Sequence, residues 1–491
     1  MKPGSNSKQK ESESDAEDPP SRSYTTREIW KVLSQFTRPY SRIIWVGVLG
    51  NLMTVTMALM VPLFTKVLID TVIPSRNLPF AIGLGVAYFL LNVFRYQLGY
   101  GHTFLINYVG TQVVFDIRCR LFQHLQLLHL SFFENQKSAS LVNRVINDVA
   151  AIQQFTNLAV ATMTNSIFAL FLALGIIFVL NWKLALFCLL ILPFYYGVIR
   201  YFHPKLREDS HKFREKQSQV AGTLGEIFNG IKVVKSFATE DLEMQRFTQM
   251  TKDNIRPELE LSTRSYQMGS ILGSFNDFVV AGLFIGGAAA VMGDQMTIGD
   301  YVAFTGYLGI LFSPMMALSL LLQVAITAHT GMERICNILD IRPEIMDRSG
   351  AFSMNEVKGH IEFEDVTFAY KDGRPAIRDF NLDVKPGEMI AVVGPSGSGK
   401  STLMSLLTRF HDVNEGVIRL DGRDIRTLKY EEYRRNIGIV LQENFLFAGT
   451  IADNIRYGKP EASINEIRAA AEKANALEFI DELPDGLESV V

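Results

Sequence analysis

Six apolar segments, each long enough to cross a lipid bilayer as a helix, dominate the first two thirds of the chain. The hydrocarbon core of a bilayer is about 30 Å thick and requires about 20 predominantly apolar helical residues. Segments of about this length with few charged residues lie at approximately 43–69, 79–101, 155–180, 184–201, 268–292 and 298–328. A backbone in lipid must satisfy its own hydrogen bonds, so such segments fold as helices. The sequence therefore predicts an all-α membrane domain with six transmembrane helices.

The distribution of basic residues predicts how these helices are oriented. Short turns join the first span to the second, between Pro74 and Pro79, and the third to the fourth, at Asn181–Lys183. Long polar stretches make the other two connections and carry most of the basic residues: Arg118, Arg120, Lys137, Arg144, Lys205, Arg207, Lys212, Arg214, Lys216, Lys232 and Lys235. Because basic residues concentrate on the cytoplasmic side, we expect a multi-pass protein of the inner (cytoplasmic) membrane with both termini in the cytoplasm.

A phosphate-binding loop motif follows the apolar segments. The pattern GxxxxGK[ST] is matched in full by the consecutive residues Gly394, Pro395, Ser396, Gly397, Ser398, Gly399, Lys400 and Ser401. It lies between an apolar run at Met389–Val393, which predicts a strand, and a second run at Thr402–Leu407, which predicts a helix. A strand, loop and helix in this order form the context in which such a loop binds nucleotide phosphates. A chance glycine-rich turn is therefore a poor explanation of the motif.

Each residue type in the motif suits a role in binding ATP with Mg²⁺. The backbone N–H groups of a glycine-rich loop and the positive end of the following helix attract phosphate. Lys400 is expected to contact the β- and γ-phosphates, Ser401 to coordinate Mg²⁺, and Thr402 to contact a phosphate oxygen nearer the helix. We therefore predict ATP and Mg²⁺ as cofactors and assign residues 394–402 to the cofactor site.

The motif belongs to a predicted α/β domain. Apolar alternation typical of a strand predicts its first strand, at Ile361, Phe363, Val366 and Phe368. The pair Asp421–Gly422 after a second apolar run predicts a hairpin turn. The predicted fold is thus a helical membrane domain followed by an α/β P-loop nucleotide-binding domain.

These patterns divide the chain into four regions. Residues 1–24 are predicted to form a disordered cytoplasmic tail, because they are polar and charged throughout. Residues 25–332 form the predicted transmembrane domain, 333–358 a linker, and 359–491 the ATP-binding domain. The tail contains no apolar segment typical of a secretory signal peptide.

Composition argues against two other kinds of site. The net charge of -3 and the isoelectric point near 6.3 give no electrostatic support for nucleic acid as a partner. The three cysteines, Cys119, Cys188 and Cys336, are scattered and odd in number. They therefore predict neither a disulfide framework nor a metal centre.

The chain resembles an ATP-binding cassette (ABC) exporter of the half-transporter type, in which six spans precede one nucleotide-binding domain. Outside the phosphate loop, the resemblance rests on two polar stretches similar to the family's coupling loops. Their matching residues are Phe132, Phe133, Glu134, Leu141, Arg144 and Asp148 in the first stretch and Glu226, Gly230, Ile231, Val234, Lys235 and Glu240 in the second. The family usually has glycine where Ala139 stands.

The resemblance implies two further site residues. Tyr370, in the segment Val366–Tyr370, matches the aromatic residue that stacks on adenine. Gln442, in the segment Ile439–Glu443, matches the glutamine that contacts Mg²⁺ and reports the nucleotide state to the membrane domain. The alternative for Gln442 is a surface glutamine after a buried strand. Together with Ser401, Gln442 completes the implied metal contacts.

The resemblance also indicates what the chain lacks. It stops at Val491, before the positions of the family's signature segment, of the Walker B strand end with its catalytic glutamate, and of its switch histidine. Three possible substitutes fail on context: Asp481–Glu482 lie on a predicted helix without an apolar strand before them, Asp421 lies in a hairpin turn, and His411 follows the P-loop helix as a surface residue would. We assign no catalytic residue and expect the chain as given to bind ATP without efficient hydrolysis. A C-terminally incomplete part of a longer protein is favoured over a natural non-hydrolysing form.

The predicted function is ATP-driven export or flipping of a lipid-like or amphipathic substrate across the cytoplasmic membrane. The expected partners are a second half-transporter, most simply an identical copy, and the lipid of the membrane. The alternative is a membrane-anchored ATP sensor or regulatory subunit that binds nucleotide without hydrolysing it. A peptide exporter that trims its own cargo would need a protease domain, and the segment before the first span is too short for one.

Two charged residues within the predicted spans, Arg95 and Asp277, are candidate substrate contacts. A charge in lipid is costly unless it faces a cavity or a partner. The alternative, which we favour, places Arg95 at an interface, where its side chain extends to water, and Asp277 near the outer end of its helix.

Overall fold

A computed structural model describes residues 22, 24–134, 136, 138–159, 164–348, 350–354, 356–370, 373, 375–442 and 445–491. Most of the predicted tail, together with Lys137, Glu443 and part of the predicted third span, therefore lies outside the described residues. The chain forms two compact units, Met1–Pro343 and Glu344–Val491. The four regional boundaries given above stay predictions.

The described residues of the first unit are almost all helical. Its helices are α1 (Thr26–Thr37), α2 (Ser41–Val67), α3 (Leu78–Leu127), α4 (Leu130–Glu134), α5 (Ser138–Asn143), α6 (Val149–Leu158), α7 (Thr164–Leu180), α8 (Trp182–Leu189), α9 (Ile191–Asn229), α10 (Ile231–Phe237), α11 (Glu240–Met292) and α12 (Ile298–Leu339). Short π-helical segments follow α2, at Leu68–Val72, and precede α6, at Arg144–Asp148.

The membrane-length helices agree with the apolar pattern. Within the described part of the chain, four helical stretches are long and apolar enough to cross a bilayer: Thr26–Ser75, Leu78–Leu127, Trp182–Asn229 and Glu240–Met292. Two shorter apolar helices lie at Asn165–Leu180 and Ile298–Leu311. The prediction of a helical membrane domain ahead of the second unit is confirmed. The longest helix, α11, has 53 residues, and a rise of 1.5 Å per residue makes it about 80 Å long, far more than a bilayer requires.

Two apolar clusters hold the first unit together. One joins α1, α3, α4, α6 and the end of α12, and along α3 it buries a stripe at helical spacing: Val109, Val113, Ile117, Leu121 and Leu125. The other joins α2, α7, α8, α9, α11 and the first half of α12, and Tyr307 is fully buried in it. The hydroxyl of Tyr307 donates to the backbone oxygen of Leu59 at 2.6 Å, so this cluster satisfies a polar group as well as burying apolar area.

An ion pair between a partly exposed arginine and a buried carboxylate fixes the last helix to the polar stretch before α6. The guanidinium of Arg334 donates to both carboxylate oxygens of Asp148, at 2.8 and 2.6 Å. Asp148 is buried and lies in the π-helical segment. A Cβ at Gly331 would lie 3.1 Å from the backbone oxygen of Asp148. The two helices therefore approach closely enough for a bidentate contact of fixed geometry.

A polar clasp joins the end of the first span to the start of the sixth. Asp70 accepts hydrogen bonds from the Thr297 hydroxyl, at 2.5 Å, and from the Gly299 N–H, at 2.8 Å. Lys66 forms an ion pair with Asp300 at 2.6 Å. A Cβ at Gly299 would lie 2.5 Å from the Asp70 carboxylate. Only glycine therefore leaves room for the carboxylate at the first turn of α12.

The second unit contains a four-stranded antiparallel sheet with strand order β2-β1-β3-β4. Its strands are β1 (Ile361–Ala369), β2 (Pro375–Val384), β3 (Glu415–Leu420) and β4 (Arg423–Asp424), and its helices are α13 (Lys400–Leu407), α14 (Tyr430–Arg435), α15 (Ile451–Arg456), α16 (Ile464–Lys473) and α17 (Leu477–Asp481). Asp421 and Gly422 both have positive φ, 50° and 76°. The predicted hairpin turn between β3 and β4 is thus confirmed as a two-residue turn of the type that needs such backbone.

A β-bulge explains the alternation along β1. The register against β3 shifts between Glu364 and Thr367, and Asp365 has a φ of 48°. In a regular strand, Phe363 and Val366 would point to opposite faces of the sheet. The extra residue of the bulge brings Phe363, Val366 and Phe368 to the same buried face. Gly416 lies opposite the bulge with a φ of 81°, and a Cβ there would lie 2.4 Å from the backbone oxygens of Glu364 and Asp365. The bulge therefore requires glycine at this position.

The prediction of a strand at Met389–Val393 is wrong for the described structure. The segment has no assigned strand, and Met389 is 95% exposed. The segment 439–441, interpreted above as a buried strand, is irregular as well, and Val440 is 97% exposed. An apolar strand of this kind is stable between neighbouring strands that cover both its faces. The described sheet pairs with neither segment, so the apolar pattern alone does not produce a strand.

Candidate functional site

The phosphate-loop motif forms a turn that leads directly into α13. Helix α13 begins at Lys400, and Gly399 caps it in the left-handed region with a φ of 90°. A Cβ at Gly399 would lie 2.8 Å from the backbone oxygen of Ala376 in β2. Gly397 also has a positive φ, 81°. The two glycines therefore allow a backbone path and a close approach to β2 that other residues would oppose.

The side chain of Lys400 folds back over the loop. Its ammonium donates to the backbone oxygens of Gly394, at 2.9 Å, and Pro395, at 2.7 Å. The positive charge thus lies beside the N-terminal end of α13, where the backbone N–H groups and the helix dipole also favour an anion. Ser401 is exposed at the first turn of the helix, where its hydroxyl oxygen is accessible to a metal ion.

Tyr370 and Thr402 lie together behind the loop. The Tyr370 hydroxyl and the Thr402 hydroxyl are 3.1 Å apart. Thr402 is buried, whereas the Tyr370 ring is partly exposed and packs edge-on against Phe368 with ring centroids 5.0 Å apart. The structure therefore places an aromatic face next to the helix that follows the phosphate loop.

His411 belongs to this neighbourhood, although its sequence position indicated a surface residue. Its ring centroid lies 5.4 Å from that of Phe368 and 5.6 Å from that of Tyr370. Its Nε2 atom is buried and has no hydrogen-bond partner among the described residues. The sequence does contain one indication of this contact. Phe410 directly precedes His411 and is apolar, which suggests that the chain stays close to the core after α13.

The far end of α13 is anchored by α14. The Tyr433 hydroxyl donates to the backbone oxygen of Leu407, and burial raises the pKa of this phenol. The Arg434 guanidinium donates to the backbone oxygens of Thr408, at 3.3 Å, and Arg409, at 3.4 Å, and burial lowers its pKa. These bonds satisfy carbonyl groups at the helix end, so α13 is held in place while Ser401 in its first turn stays exposed.

The structure does not place Gln442 in contact with the phosphate loop. Its side chain is exposed, and among the described residues it forms no hydrogen bond with the loop. The chain is anchored only a few residues later, where the Asn454 side chain accepts from the Phe447 N–H at 2.8 Å and donates to its oxygen at 2.9 Å. A role for Gln442 in metal binding stays a prediction.

The carboxylates considered as substitutes for a general base are engaged elsewhere. Asp421 accepts the backbone N–H groups of Lys358, at 2.8 Å, and His360, at 2.9 Å. Asp481 pairs with Arg468 at 2.7 Å at the end of α17. Both therefore hold local structure in the described part of the chain.

Comparison with known protein families accounts for both units. Residues 44–315 match the family model described as the ABC transporter transmembrane region, and residues 377–487 match the model described as ABC transporter.

The chain belongs to the ABC transporter family.

It is an ATPase-coupled membrane transporter of the half-transporter exporter type, with its membrane domain ahead of its ATP-binding domain.

Several named relatives are similar to this ABC transporter over most of its length. The ATP-dependent lipid A-core flippase of Desulfotalea psychrophila is 33% identical over 95% of this chain and 82% of its own length. The putative multidrug export ATP-binding/permease protein YgaD of Bacillus subtilis is 31% identical over 94% of this chain and 81% of its own. A putative multidrug export ATP-binding/permease protein of Staphylococcus aureus is 32% identical over 93% and 80%.

Proposed function

We propose that this ABC transporter binds ATP at residues 394–402 and uses it to export or flip a lipid-like or amphipathic substrate across the cytoplasmic membrane. The observation that carries the proposal is the Lys400 ammonium, held over a left-handed glycine turn at the start of α13. The same chain contains helices of membrane length. Relatives with the same two regions are named as a lipid flippase and as putative multidrug exporters, which supports this class of substrate.

The proposed roles of the site residues follow from their positions. Lys400 exchanges its two carbonyl contacts for the β- and γ-phosphate oxygens, and Thr402 contacts a phosphate near the helix. Tyr370 stacks on the adenine ring. Ser401 and Gln442 supply oxygen atoms, a donor type that suits Mg²⁺, and the ion when bound neutralises charge on the phosphates. We assign no general base.

The transport cycle that we propose needs a second copy of the chain. Two ATP-binding domains close around nucleotide, and two membrane domains change from an inward-facing to an outward-facing arrangement. ATP drives this change only if it binds the closed dimer better than the open one. Both termini and the ATP-binding domain lie in the cytoplasm, as the basic residues along the polar stretches suggest.

ATP-dependent uptake into inside-out membrane vesicles tests the function. A fluorescent lipid or an amphipathic dye is expected to accumulate with ATP and Mg²⁺ and to remain at the background level with a non-hydrolysable analogue or with chelator. Vesicles that lack the protein provide the control. Nucleotide binding without substrate movement, for a series of lipids and dyes, would favour the sensor or regulatory subunit instead.

The stacking role of Tyr370 predicts different effects for two substitutions. Tyr370→Ala removes the ring, and since stacking of a base on an aromatic residue contributes roughly 1–3 kcal/mol, ATP affinity should fall about 5- to 150-fold. Tyr370→Phe keeps the ring and loses only the hydroxyl that lies beside Thr402, so its affinity should remain within a few-fold of wild type. Titration with a fluorescent ATP analogue measures both. Equal affinities for the two variants would count against stacking.

A further inference from the structure

We propose that the second unit binds a divalent transition-metal ion of the class of Zn²⁺ through His360, Glu362 and Asp383. Each of these residues offers one ligand atom, an imidazole nitrogen or a carboxylate oxygen, and the three atoms all lie within 4.8 Å of one another. The three residues, named here the sheet-edge site, lie at the start of β1 and the end of β2 and include no residue of the phosphate loop. The site is thus independent of the proposed function, and its test needs no nucleotide.

The pairing of β1 with β2 places the three side chains on one face of the sheet. Glu362 and Asp383 are direct cross-strand partners, and the Nε2 atom of His360 lies 2.5 Å from Oδ1 of Asp383. The next pair along the ladder, Phe363 and Leu382, packs in the apolar core of the unit. Because successive side chains of a strand point to opposite faces, the sheet-edge site faces away from the core, where an ion and its water molecules can reach it.

Two carboxylates lie opposite each other at this site without enough positive charge between them. Like charges directly opposite each other on neighbouring strands destabilise a sheet. Arg419 is the partner of Glu362 on β3, but its guanidinium donates to the Glu364 carboxylate, at 3.2 and 3.3 Å. Within the described part of the chain, no ion pair involves Glu362. A divalent ion supplies two positive charges at this point, whereas a neutral His360 imidazole supplies none.

Basic residues near the sheet-edge site do not neutralise its carboxylates. Lys358, Lys385 and Arg423 line a cavity of about 780 Å³ beside His360 and Asp383. Among the residues that the structure describes, none of these three forms an ion pair with Asp383. The Arg423 guanidinium lies over an aromatic ring instead, 5.2 Å from its centroid. The ligand atoms are therefore open to an ion that enters through the cavity.

The backbone around the three ligands is already held in place. Asp421 accepts the backbone N–H of His360 at 2.9 Å, and its own N–H donates to the backbone oxygen of His360 at 2.8 Å. Glu362 and Asp383 belong to paired strands. Binding therefore requires side-chain rotations alone, which lowers the entropy cost of forming the site.

The donor set favours Zn²⁺ over Mg²⁺ or Ca²⁺. Zinc binds imidazole nitrogen and carboxylate oxygen at about 2.0–2.2 Å, whereas magnesium and calcium prefer oxygen ligands. In a tetrahedral site with these distances the ligand atoms are roughly 3.3–3.6 Å apart. Ligand atoms that already lie within 4.8 Å of one another reach this arrangement by small rotations. A water molecule occupies the fourth position, as in other zinc sites with three protein ligands.

Titration of the purified, metal-free full chain with Zn²⁺, without nucleotide, tests the proposal. His360→Ala and Glu362→Gln should each weaken zinc binding at least about 10- to 100-fold, because even the residues that only orient metal ligands contribute this much. Calorimetry provides the affinities, and excess Mg²⁺ should not displace the zinc. Saturating Zn²⁺ should also raise the thermal unfolding temperature of wild type and leave that of either variant unchanged, because the ion binds only when β1 and β2 are paired.

A matched control removes one imidazole and one carboxylate outside the sheet-edge site. His211→Ala with Glu472→Gln changes exposed positions of α9 and α16 and should leave the zinc affinity close to that of wild type. Equal weakening in this control and in His360→Ala would overturn the proposal, since the ion would then bind at scattered surface groups. Unchanged affinity in Glu362→Gln would overturn it as well, because an ordinary exposed pair of His360 with Asp383 does not involve Glu362. The Glu362→Gln variant removes a charge that forms no ion pair within the described residues, so its folding is expected to stay intact.

Discussion

ATP-driven uptake into inside-out vesicles should be abolished by Lys400→Ala, and ATP affinity should fall about 10- to 150-fold. A charge-assisted hydrogen bond contributes roughly 1.5–3 kcal/mol, and the expected loss is that of one bond because the ammonium gives up its two carbonyl contacts when it binds phosphate. In the structure this group already lies over the loop, within 2.9 Å of two carbonyl oxygens. Its loss removes the positive charge closest to the proposed position of the phosphates. Calorimetric titration with ATP and Mg²⁺ gives the affinity, and the vesicle assay gives the uptake.

Lys385→Ala is the matched control for this substitution. Lys385 is an exposed lysine of the same unit, outside the phosphate loop, and its replacement should leave affinity and uptake close to wild type. If Lys400→Ala retained both, the assignment of residues 394–402 to the ATP site would have to be abandoned. If it retained affinity and lost uptake, the lysine would act after binding, on the bound phosphates.

Gly416→Ala should destabilise the second unit by about 3 kcal/mol or more. The backbone at Gly416 has a φ of 81°, and the added Cβ would lie 2.4 Å from two carbonyl oxygens of the β1 bulge. A residue held in a sparsely populated backbone region costs of order 1–3 kcal/mol, and forced overlap in a packed region costs a similar amount. Both carbonyls belong to backbone, so the contact cannot be relieved by a side-chain rotation. Limited proteolysis and thermal unfolding of the full chain measure the change.

The control for this prediction is Gly458→Ala. Among the described residues other than its chain neighbours, none has an atom within 4 Å of a Cβ at Gly458, and its φ is not in the left-handed region. The protease resistance of the second unit should therefore match that of wild type. Equal stability of Gly416→Ala and Gly458→Ala would show that β1 and β3 can adopt a pairing without the bulge.

The parts of the fold that depend on local pattern could be predicted from sequence. Apolar length predicted the helical membrane domain, and apolar alternation predicted β1. The Asp-Gly pair predicted the turn at Asp421–Gly422. In each of these the deciding information lies within a few residues along the chain or within one helix. The glycine-rich motif likewise indicates its local backbone, since the absence of a Cβ permits the positive φ found at Gly397 and Gly399.

Features that depend on distant residues could not be predicted in the same way. The apolar run Met389–Val393 has the composition of a buried strand, yet a strand also requires a partner with free backbone groups. The contact of His411 with Tyr370 depends on how the chain returns after α13. Tyr370 was assigned to the site through resemblance alone, and its hydroxyl contact with Thr402, 32 residues away, is a result of the fold.

The clasp at Asp70 has a mechanical consequence for a transporter. It joins the π-helical segment after α2 to α12 across 229 positions of sequence, at the end of α12 opposite to the one that continues toward the second unit. Helix α12 has 42 residues, which corresponds to a rod of about 63 Å. A displacement at its Leu339 end therefore has a continuous helical path to the end of the first span, where the clasp holds Asp70 and Lys66.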